Sequence, residues 1–588
     1  MYIENINNPN DLKKINVEKL PVLANEVREL IISKVSACGG HLASNLGMVE
    51  LTTALHYIFD SPHDKFVYDV SHQTYCHKIL TGRKDAFSCE DKYKTVTGFS
   101  NPHESEHDHF VIGHTSTSIS LACGLAKARD LIGGNENVIA IIGDASLDGG
   151  EAFEALNYAS ELNSNLIVII NDNEMSIPEN YGALSKHLRD LKSSSGKLEN
   201  NFFVSLGFEY YFVEQGNNIS DIIKVLNNVK DSRHPVVIHM CTQKGKGYQY
   251  AEEDKEKWHW ARPFDRNTGM YLTSVPKENY GNIVAEHLIK KIQNDSKVVV
   301  MAASTPICIG FDKAKRELAG KQYVDVGIAE QNAVTMAAAI AKRGCKPVFA
   351  TNSTFLQRAY DQIQQEMCLN DAASTIIVTH ASIYGHHNDT HIGILDIPLL
   401  GNIPRLKYLA PANKEEYLAM LDWSIEQNNT PVAIRVPWTG VTHATYDVSK
   451  EYDKIAYKII NEGEKVCIIA LGGFFELGQK TAMLLKEKTG IEPTLINPRF
   501  ITGIDEETLN WVANNHKLVI TLEDGILSGG FGSKIAQYYS TKEIKVHNYG
   551  FSMDIPRVYN PTEMMQKNSL SALQIVDKIL ADLHTCVL

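Results

Sequence analysis

The chain has 588 residues, of which 44% are hydrophobic and 22% are charged, and its formal net charge is −13. This length predicts roughly three to four domains rather than one, and the composition is typical of a globular protein with large cores. Acidic and basic residues are mixed along the chain, which argues against nucleic acid or an anionic membrane as its main partner.

The cysteines and the apolar runs bear on the cellular compartment and on membrane association. The 10 cysteines form no C-x-x-C pair and have no metal-ligand spacing, so buried or free thiols in a reducing compartment are expected. Met1–Lys14 is polar and mixed in charge, which predicts no signal peptide. Apolar runs such as Val138–Ile142 are too short to span a bilayer. We therefore expect a cytoplasmic enzyme.

In chain order, short apolar runs alternate with longer amphipathic stretches, which is typical of βα units and parallel sheets. A first α/β block runs to about Asp265, and the polar, turn-rich stretch Arg262–Lys277 is predicted to be a linker. Later strands are predicted at Lys297–Ala302, Pro347–Thr351, Thr375–Thr379, Val432–Val436, Lys465–Leu471, Glu492–Asn497, Lys517–Leu522 and Ile544–His547. Helices are predicted at Ala329–Arg343 and Ser353–Leu369.

These elements indicate an α/β fold with three domains, each holding a mostly parallel sheet flanked by helices. The predicted domains span residues 1–275, 276–445 and 446–588.

Two neighbouring apolar strands end in polar residues. The first, Val138–Ile142, leads to Asp144, and the second, Leu166–Ile170, leads to the turn Asn171-Asp172-Asn173. Parallel strands end at the same edge of a sheet, where α/β proteins usually bind ligands. Asp144 and Asn173 then offer the oxygen ligands that Mg²⁺ prefers, and a diphosphate would complete its coordination. Asp144 alone would more often be a helix cap, but the Asn-Asp-Asn turn favours the metal site.

Longer motifs accompany this segment. They are Gly40–Ser44, Leu51–Tyr57, Tyr68–Gln73, His77–Arg83, Gly113–Ser118, Ala152–Asn157, Ile328–Gln331, Ser353–Gln362, Thr521–Asp524 and Gly529–Ser533. Together with the Gly-Asp…Asn pair, they resemble the 1-deoxy-D-xylulose-5-phosphate synthases, a family of transketolase-like thiamine-diphosphate enzymes. The resemblance covers nearly the whole chain and is looser in the third block. It implies a transketolase-like thiamine-diphosphate-binding fold, thiamine diphosphate and Mg²⁺ as cofactors, and a homodimer.

The resemblance also implies roles in the first domain. Asp144, Asn173 and the Met175 carbonyl are expected to be the metal ligands. The loop Gly113–Ser118 is expected to hold the cofactor diphosphate through its N–H groups and hydroxyls. The cofactor-binding residues implied here are His72, Gly113, His114, Thr115, Ser116, Asp144, Ala145, Asn173 and Lys244. Ala145 replaces a glycine of the family, and for Lys244 a solvated basic loop is the alternative.

Glu330 begins an apolar helix, where an acid by itself would usually be a helix cap. In the family this glutamate hydrogen-bonds N1′ of the cofactor pyrimidine and favours the tautomer that removes the thiazolium C2 proton. By the same resemblance Phe355 packs on the pyrimidine ring, with a core phenylalanine as the alternative. Glu330 is therefore expected to be catalytic and, with Phe355, to bind the cofactor.

Four of the 22 histidines are singled out, because imidazole titrates near neutral pH and can move protons. The resemblance implies catalytic roles for His41, His72 and His391, and a cofactor-side position for His114. The implied reaction starts when the cofactor ylid adds to pyruvate and CO₂ leaves. The resulting enamine attacks D-glyceraldehyde 3-phosphate and gives 1-deoxy-D-xylulose 5-phosphate.

The region that would bind the acceptor departs from the family. The predicted substrate residues are Arg358, His380, His387 and His391, and Arg435 lies nearby in sequence. The departures are Asn332, Asn352, His380, His387, Trp438, Pro102-His103 and a shorter segment after Ser195–Leu198. Arginine binds phosphate through paired charged hydrogen bonds, which Trp and neutral His do not reproduce. D-glyceraldehyde 3-phosphate stays the first expected acceptor, and a synthase-like paralogue with a different acceptor, including one without a phosphate, is the alternative.

Three other functions stay open. A transketolase-type transferase would take a ketose donor and release no CO₂. A non-catalytic paralogue would bind thiamine diphosphate without turnover, and the presence of Glu330, Asp144 and Asn173 counts against it. A component of a keto-acid dehydrogenase complex is disfavoured, because all three blocks lie on one chain. Small-molecule substrates, and neither nucleic acid nor membrane, are the expected partners.

Overall fold

The computed structural model describes residues 1–274, 276, 278–384, 388–436 and 440–585. It divides into two compact units, which we describe separately. Unit 1 comprises Met1–Val275 and Gly327–Ala329, and unit 2 comprises Pro276–Val326 and Glu330–Leu588.

Unit 1 is built on one five-stranded sheet whose paired strands are all parallel. Its strands are β1 (Lys65–Tyr68), β2 (Val138–Gly143), β3 (Leu166–Asp172), β4 (Glu209–Val213) and β5 (Pro235–Cys241), in the spatial order β1-β2-β3-β5-β4. Side chains of the inner strand β2 alternate between two cores, because successive strand residues point to opposite faces. Val138 and Ala140 belong to one core and Ile139 and Ile141 to the other.

Helices cover both faces of this sheet. The helices of unit 1 are α1 (Pro9–Leu12), α2 (Leu20–Cys38), α3 (Ala43–Gly47), α4 (Val49–Ile58), α5 (Tyr75–Lys78), α6 (Asp85–Ser88), α7 (Ser118–Ile132), α8 (Gly150–Ala159), α9 (Ala183–Ser193), α10 (Phe202–Ser205), α11 (Ile219–Val229) and α12 (Gln249–Glu253). α7 and α8 pack on one face, and α4 and α11 pack on the other. Burial on both faces explains why the central strands are continuously apolar.

Unit 2 contains two further sheets. The first consists of β6 (Val298–Ala302), β7 (Tyr323–Asp325), β8 (Lys346–Asn352), β9 (Thr375–Thr379), β10 (Lys407–Leu409) and β11 (Val432–Arg435), in the order β10-β11-β9-β8-β6-β7, all parallel. The second consists of β12 (Lys458–Asn461), β13 (Lys465–Ala470), β14 (Thr494–Asn497), β15 (His516–Ile526) and β16 (Lys545–Phe551), in the order β12-β14-β13-β15-β16. β12 is antiparallel to β14, and the other pairs are parallel.

Helices also flank these sheets. The helices of unit 2 are α13 (Tyr280–Asn294), α14 (Lys313–Ala319), α15 (Glu330–Lys342), α16 (Ser353–Leu356), α17 (Tyr360–Gln362), α18 (Asp396–Leu400), α19 (Lys414–Glu426), α20 (Phe475–Thr489), α21 (Glu506–Asn515), α22 (Phe531–Tyr539), α23 (Pro561–Lys567) and α24 (Ala572–Thr585). Within the described residues, none of the helices of the chain is long and apolar enough to cross a membrane.

The predicted fold class is confirmed, with three mostly parallel sheets flanked by helices. The predicted strands recur with small shifts at their ends. The single helix expected at Ser353–Leu369 was wrong, because 3₁₀ and π turns at Gln357–Ala359 and Ile363–Cys368 interrupt it. The predicted domain bounds at 275/276 and 445/446 stay predictions.

Candidate active site

The ends of β2 and β3 bring Asp144 and Asn173 to one edge of the sheet of unit 1, since Gly143 and Asn171 are paired across the two strands. Oδ1 of Asp144 accepts the Ala145 N–H at 3.0 Å. Oδ2 accepts the N–H groups of Glu174 at 2.6 Å and Asn173 at 3.3 Å. Burial, and then the neighbouring Asp172 carboxylate, raise the pKa of Asp144 well above its ordinary value. A divalent cation bound here would favour the ionised form of this carboxyl.

The loop Asn173–Asn180 folds back onto Asp144. The Met175 N–H donates to Oδ1 of Asn173 at 3.2 Å, and the Asn180 N–H donates to the Glu174 carbonyl at 3.2 Å. The side-chain amide of Asn180 donates to Oδ2 of Asp144 at 2.9 Å. The structure therefore brings the predicted ligands Asp144, Asn173 and Met175 together, and it adds Asn180, which the sequence reasoning missed.

A second set of ligand-type atoms lies beside this loop. Asp172, His239 and Cys241 place ligand atoms within 4.8 Å of one another. However, Nε2 of His239 contacts Oδ2 of Asp172 directly at 2.7 Å, whereas two ligands of a tetrahedral zinc ion lie roughly 3.3 Å apart. The other ring nitrogen of His239 bonds the Tyr210 hydroxyl at 2.8 Å. Tyr210, His239 and Asp172 therefore form a hydrogen-bonded chain that orients the Asp172 carboxylate. They do not form a metal site.

Three histidines of unit 1 form a cluster. The ring centroids of His41 and His72 are 4.8 Å apart, and His259 lies 5.6 Å from His41 and 5.3 Å from His72. Asn45 holds two of them in place, because its amide donates to the backbone carbonyls of His41 and His72 at 2.8 Å each. The sequence reasoning missed His259, which is 218 residues from His41 and follows no predicted strand.

Burial favours the neutral forms of His72 and His259. It lowers the pKa of His72 to about 3 and that of His259 well below its ordinary value, and the Lys244 charge adds to both effects. Lys244 is itself buried, which lowers its pKa to about 7, and its Nζ donates to the Ser176 carbonyl. A solvated basic loop therefore does not describe Lys244. Neutral imidazoles can accept protons from a substrate or from its reacting oxygen.

The loop Gly113–Ser116 precedes α7, as predicted, but part of it is already bonded. Asp69 accepts the N–H groups of Ser116 at 2.8 Å and Ser118 at 3.0 Å. The Ser116 hydroxyl donates to the Ser146 carbonyl at 2.8 Å. The N–H and the hydroxyl of Ser116 therefore have partners within unit 1, and its diphosphate role stays a prediction. The role also stays a prediction for Gly113, His114 and Thr115. Ala145 begins a 3₁₀ turn, so a side chain is tolerated there.

In unit 2, Glu330 begins α15 and is buried. Burial raises the pKa of its carboxyl, while the positive charge of Arg358 lowers it. Oε2 of Glu330 has no hydrogen-bond partner within the part of the chain that the structure describes. A buried oxygen of this kind has a free-energy cost unless a ligand donates to it.

Phe355 and His391 lie together in unit 2, with ring centroids 5.6 Å apart in an edge-on arrangement. The Thr390 hydroxyl bonds Nδ1 of His391 at 2.8 Å, which leaves Nε2 on the far side of the ring. The structure therefore brings the predicted residues Phe355 and His391 together. It also places Arg358 close enough to Glu330 to lower the pKa of the Glu330 carboxyl.

The residues expected to alter the acceptor region are only partly described. Asn352 accepts the Thr379 hydroxyl at 2.9 Å, and His380 contacts the same hydroxyl at 3.2 Å. His387 and Trp438 lie outside the described residues.

Arg435 forms ion pairs inside unit 2, where it is fully buried and contacts two aspartates. Its Nε lies 2.7 Å from Asp396, and its Nη1 contacts Asp524. It is therefore not available to a phosphate.

Three protein-family models match the chain. The family model described as 1-deoxy-D-xylulose-5-phosphate synthase matches residues 3–201 and 194–242. The pyrimidine binding domain and the C-terminal domain of transketolase match residues 277–441 and 456–575.

Similar whole proteins were also found. A 1-deoxy-D-xylulose-5-phosphate synthase of Caldanaerobacter subterraneus is 38% identical over 98% of this chain and 98% of its own. One of Natranaerobius thermophilus is 39% identical over 98% and 97%. A transketolase structure from Campylobacter jejuni is 17% identical, covers 96% of this chain and 100% of its own, and has a TM-score of 0.43. On the identity and coverage of the two synthases, the chain belongs to the 1-deoxy-D-xylulose-5-phosphate synthase family.

Proposed function

We propose that the chain is a thiamine-diphosphate- and Mg²⁺-dependent carboligase. It decarboxylates pyruvate and joins the two-carbon unit to an aldehyde such as D-glyceraldehyde 3-phosphate. The observation that carries this proposal is that Asn173 and Met175 lie beside the buried carboxylate of Asp144 at the strand ends of unit 1.

The described residues of each unit fit these cofactors. In unit 1, burial raises the pKa of Asp144, and a divalent cation would favour its ionised form, while Nδ1 of His72 is buried without a hydrogen-bond partner in the described chain. In unit 2, the bare Oε2 of Glu330 is suited to hold a proton shared with a ring nitrogen. Thiamine diphosphate, when bound, supplies the nucleophilic carbon and the electron sink for decarboxylation.

The residues of the chain then bind, orient and exchange protons. Asp144, Asn173 and the Met175 carbonyl hold Mg²⁺. The remaining cofactor-binding residues are His72, Gly113, His114, Thr115, Ser116, Ala145 and Lys244 in unit 1, and Glu330 and Phe355 in unit 2. His41 and His72 in unit 1 and His391 in unit 2 exchange protons with the substrates, and Arg358, His380 and His387 bind them. We also infer three domains and a cytoplasmic homodimer that serves isoprenoid and thiamine biosynthesis.

A different, non-phosphorylated acceptor is the second candidate. The internal pairing of Arg435 favours it, because this arginine is then absent from the groups that bind substrate. Among the predicted substrate residues that the structure describes, Arg358 is the arginine that would bind a phosphate.

The test is CO₂ release from pyruvate with thiamine diphosphate and Mg²⁺, with and without D-glyceraldehyde 3-phosphate, with the product identified by NMR. Stimulation by the aldehyde and formation of 1-deoxy-D-xylulose 5-phosphate support the first candidate. Equal stimulation by unphosphorylated glyceraldehyde supports the second. A strong preference for the phosphorylated aldehyde that is lost in Arg358→Ala contradicts the second.

Failure to release CO₂ contradicts pyruvate as the donor. Ketose donors then distinguish a transketolase-type transferase from a non-catalytic paralogue, since only the transferase consumes them.

A further inference from the structure

Asn180 is connected to the proposed cation site by both ends of its side-chain amide. Its Nδ2 donates to Oδ2 of Asp144 at 2.9 Å. This orientation follows from charge, because the reversed amide would place two oxygens against each other. Its Oδ1 is buried and has no hydrogen-bond partner among the described residues of the chain.

An amide oxygen in this position requires a partner. Leaving a buried acceptor unsatisfied has a free-energy cost. Oδ1 and Nδ2 are bonded to the same carbon, so Oδ1 lies in the same region of unit 1 as the Asp144 carboxylate. A carboxylate with a neutral acceptor oxygen in its neighbourhood suits a hydrated divalent cation, and Mg²⁺ usually keeps several of its waters in protein sites.

The backbone around Asn180 is constrained as well. Its N–H donates to the Glu174 carbonyl at 3.2 Å, and the Ser176 N–H donates to the Pro178 carbonyl at 2.9 Å. A bridge between Met175 and Glu179 closes the same loop. Asn180 therefore returns to Asp144 at the end of a short closed loop that also contains the proposed ligand Met175.

We propose that Asn180 is a positioning residue of the cation site. Its Nδ2 fixes the Asp144 carboxylate, and its Oδ1 accepts a hydrogen bond from a water molecule on the cation. This inference rests on the proposed function, because it takes Asp144 as a metal ligand.

The test measures Mn²⁺ binding to the full-length protein with thiamine diphosphate, with free Mn²⁺ followed by electron paramagnetic resonance. Asn180→Ala is expected to weaken Mn²⁺ binding about 10- to 100-fold, as is usual for groups that orient metal ligands. If the alanine variant does not fold, Asn180→Leu is measured instead, because leucine branches at the same carbon as asparagine and has no polar atom. Asn180→Asp keeps an oxygen at this position and is expected to bind Mn²⁺ more tightly than Asn180→Leu.

The matched control is Asn218→Ala, which removes an asparagine that caps α11 through the N–H groups of Ser220 and Asp221. It is expected to lower thermal stability and leave Mn²⁺ affinity unchanged. If Asp144→Asn loses Mn²⁺ while the Asn180 variants bind it like the wild type, the inference is overturned and the proposed function stands. If Asn180→Asp binds no better than Asn180→Leu, the role of Oδ1 is overturned. If Asp144→Asn binds Mn²⁺ like the wild type, the proposed cation site itself is wrong.

Discussion

Asp144 in unit 1 and Glu330 in unit 2 are both buried carboxyl groups, but their surroundings differ. Asp144 accepts hydrogen bonds from the backbone of Ala145, Asn173 and Glu174 and from the side chain of Asn180. Glu330 has an oxygen that accepts none among the described residues. Burial raises the pKa of both groups.

The difference indicates two kinds of function. A carboxylate that is already oriented by four donors is prepared to hold an ion in one geometry. A carboxyl with a bare oxygen is prepared to exchange a proton with a ligand. Other buried carboxyls of unit 2 are held by protein groups. Asp396 and Asp524 pair with Arg435, although Oδ2 of Asp524 has no hydrogen-bond partner among the described residues, and Glu523 accepts the N–H groups of Phe531 and Gly532 at 2.8 Å each.

The largest expected effect is on turnover. Glu330→Gln keeps the shape of the side chain and removes the exchangeable proton, so kcat for CO₂ release from pyruvate is expected to fall about 10²- to 10⁴-fold. Cofactor binding and the melting temperature are expected to change little. Wild-type turnover in this variant would show that the bare oxygen has no catalytic role.

Asp144→Asn tests the proposed cation-binding role of the buried carboxylate in unit 1. It removes the charge that balances a divalent cation, so Mg²⁺ affinity in the presence of thiamine diphosphate is expected to fall by at least about 100-fold. Calorimetric titration with Mg²⁺ measures this, and the exposed Asp221→Asn in α11 is the control. Unchanged affinity would place the cation elsewhere.

Arg435→Met tests a buried carboxyl pair that we regard as structural. Removing the partner leaves two buried charges unpaired, so the free energy of unfolding is expected to fall by about 3–5 kcal/mol. Urea denaturation of unit 2 reports it. Arg405→Met breaks an ion pair with Asp371 whose side chains are both more than half exposed, and it is expected to have little effect. A similar loss in both variants would contradict the assignment.

The smallest expected effect is a dependence of stability on pH. Burial raises the pKa of Glu523 to about 7. Between its ordinary value and pH 7 the folded state holds a proton that the unfolded state releases, so stability is expected to fall as the pH rises through this range. Glu523→Gln removes this titration, so the free energy of unfolding of the variant is expected to vary less between pH 5 and 7 than that of the wild type, by about 3 kcal/mol at most. An equal pH dependence in both proteins would be the contrary result.

The part of the site predicted from sequence is the part that depends on strand ends. Asp144 and Asn173 follow neighbouring parallel strands, and local apolar patterns identify such strands. The position of Lys244 and Glu330 was predicted through motifs of the family.

The remaining features depend on contacts between residues that are far apart in sequence. Arg435 pairs with Asp524, 89 residues away, and no local pattern distinguishes that arginine from one that binds phosphate. Asn180 returns to Asp144 only because the loop after β3 closes on itself. The bonds from Ser116 and Ser118 to Asp69 also link distant segments, so no local pattern predicts them.

The most direct test of the account is deuterium exchange at the C2 carbon of thiamine diphosphate, measured by NMR with Mg²⁺ and no substrate. It depends on neither the donor nor the acceptor. We expect exchange in the wild-type protein to be much faster than in the free cofactor, and exchange in Glu330→Gln to fall close to the rate of the free cofactor. Equal exchange rates in the two proteins, with the cofactor bound to both, would contradict the role of Glu330 and the account built on it.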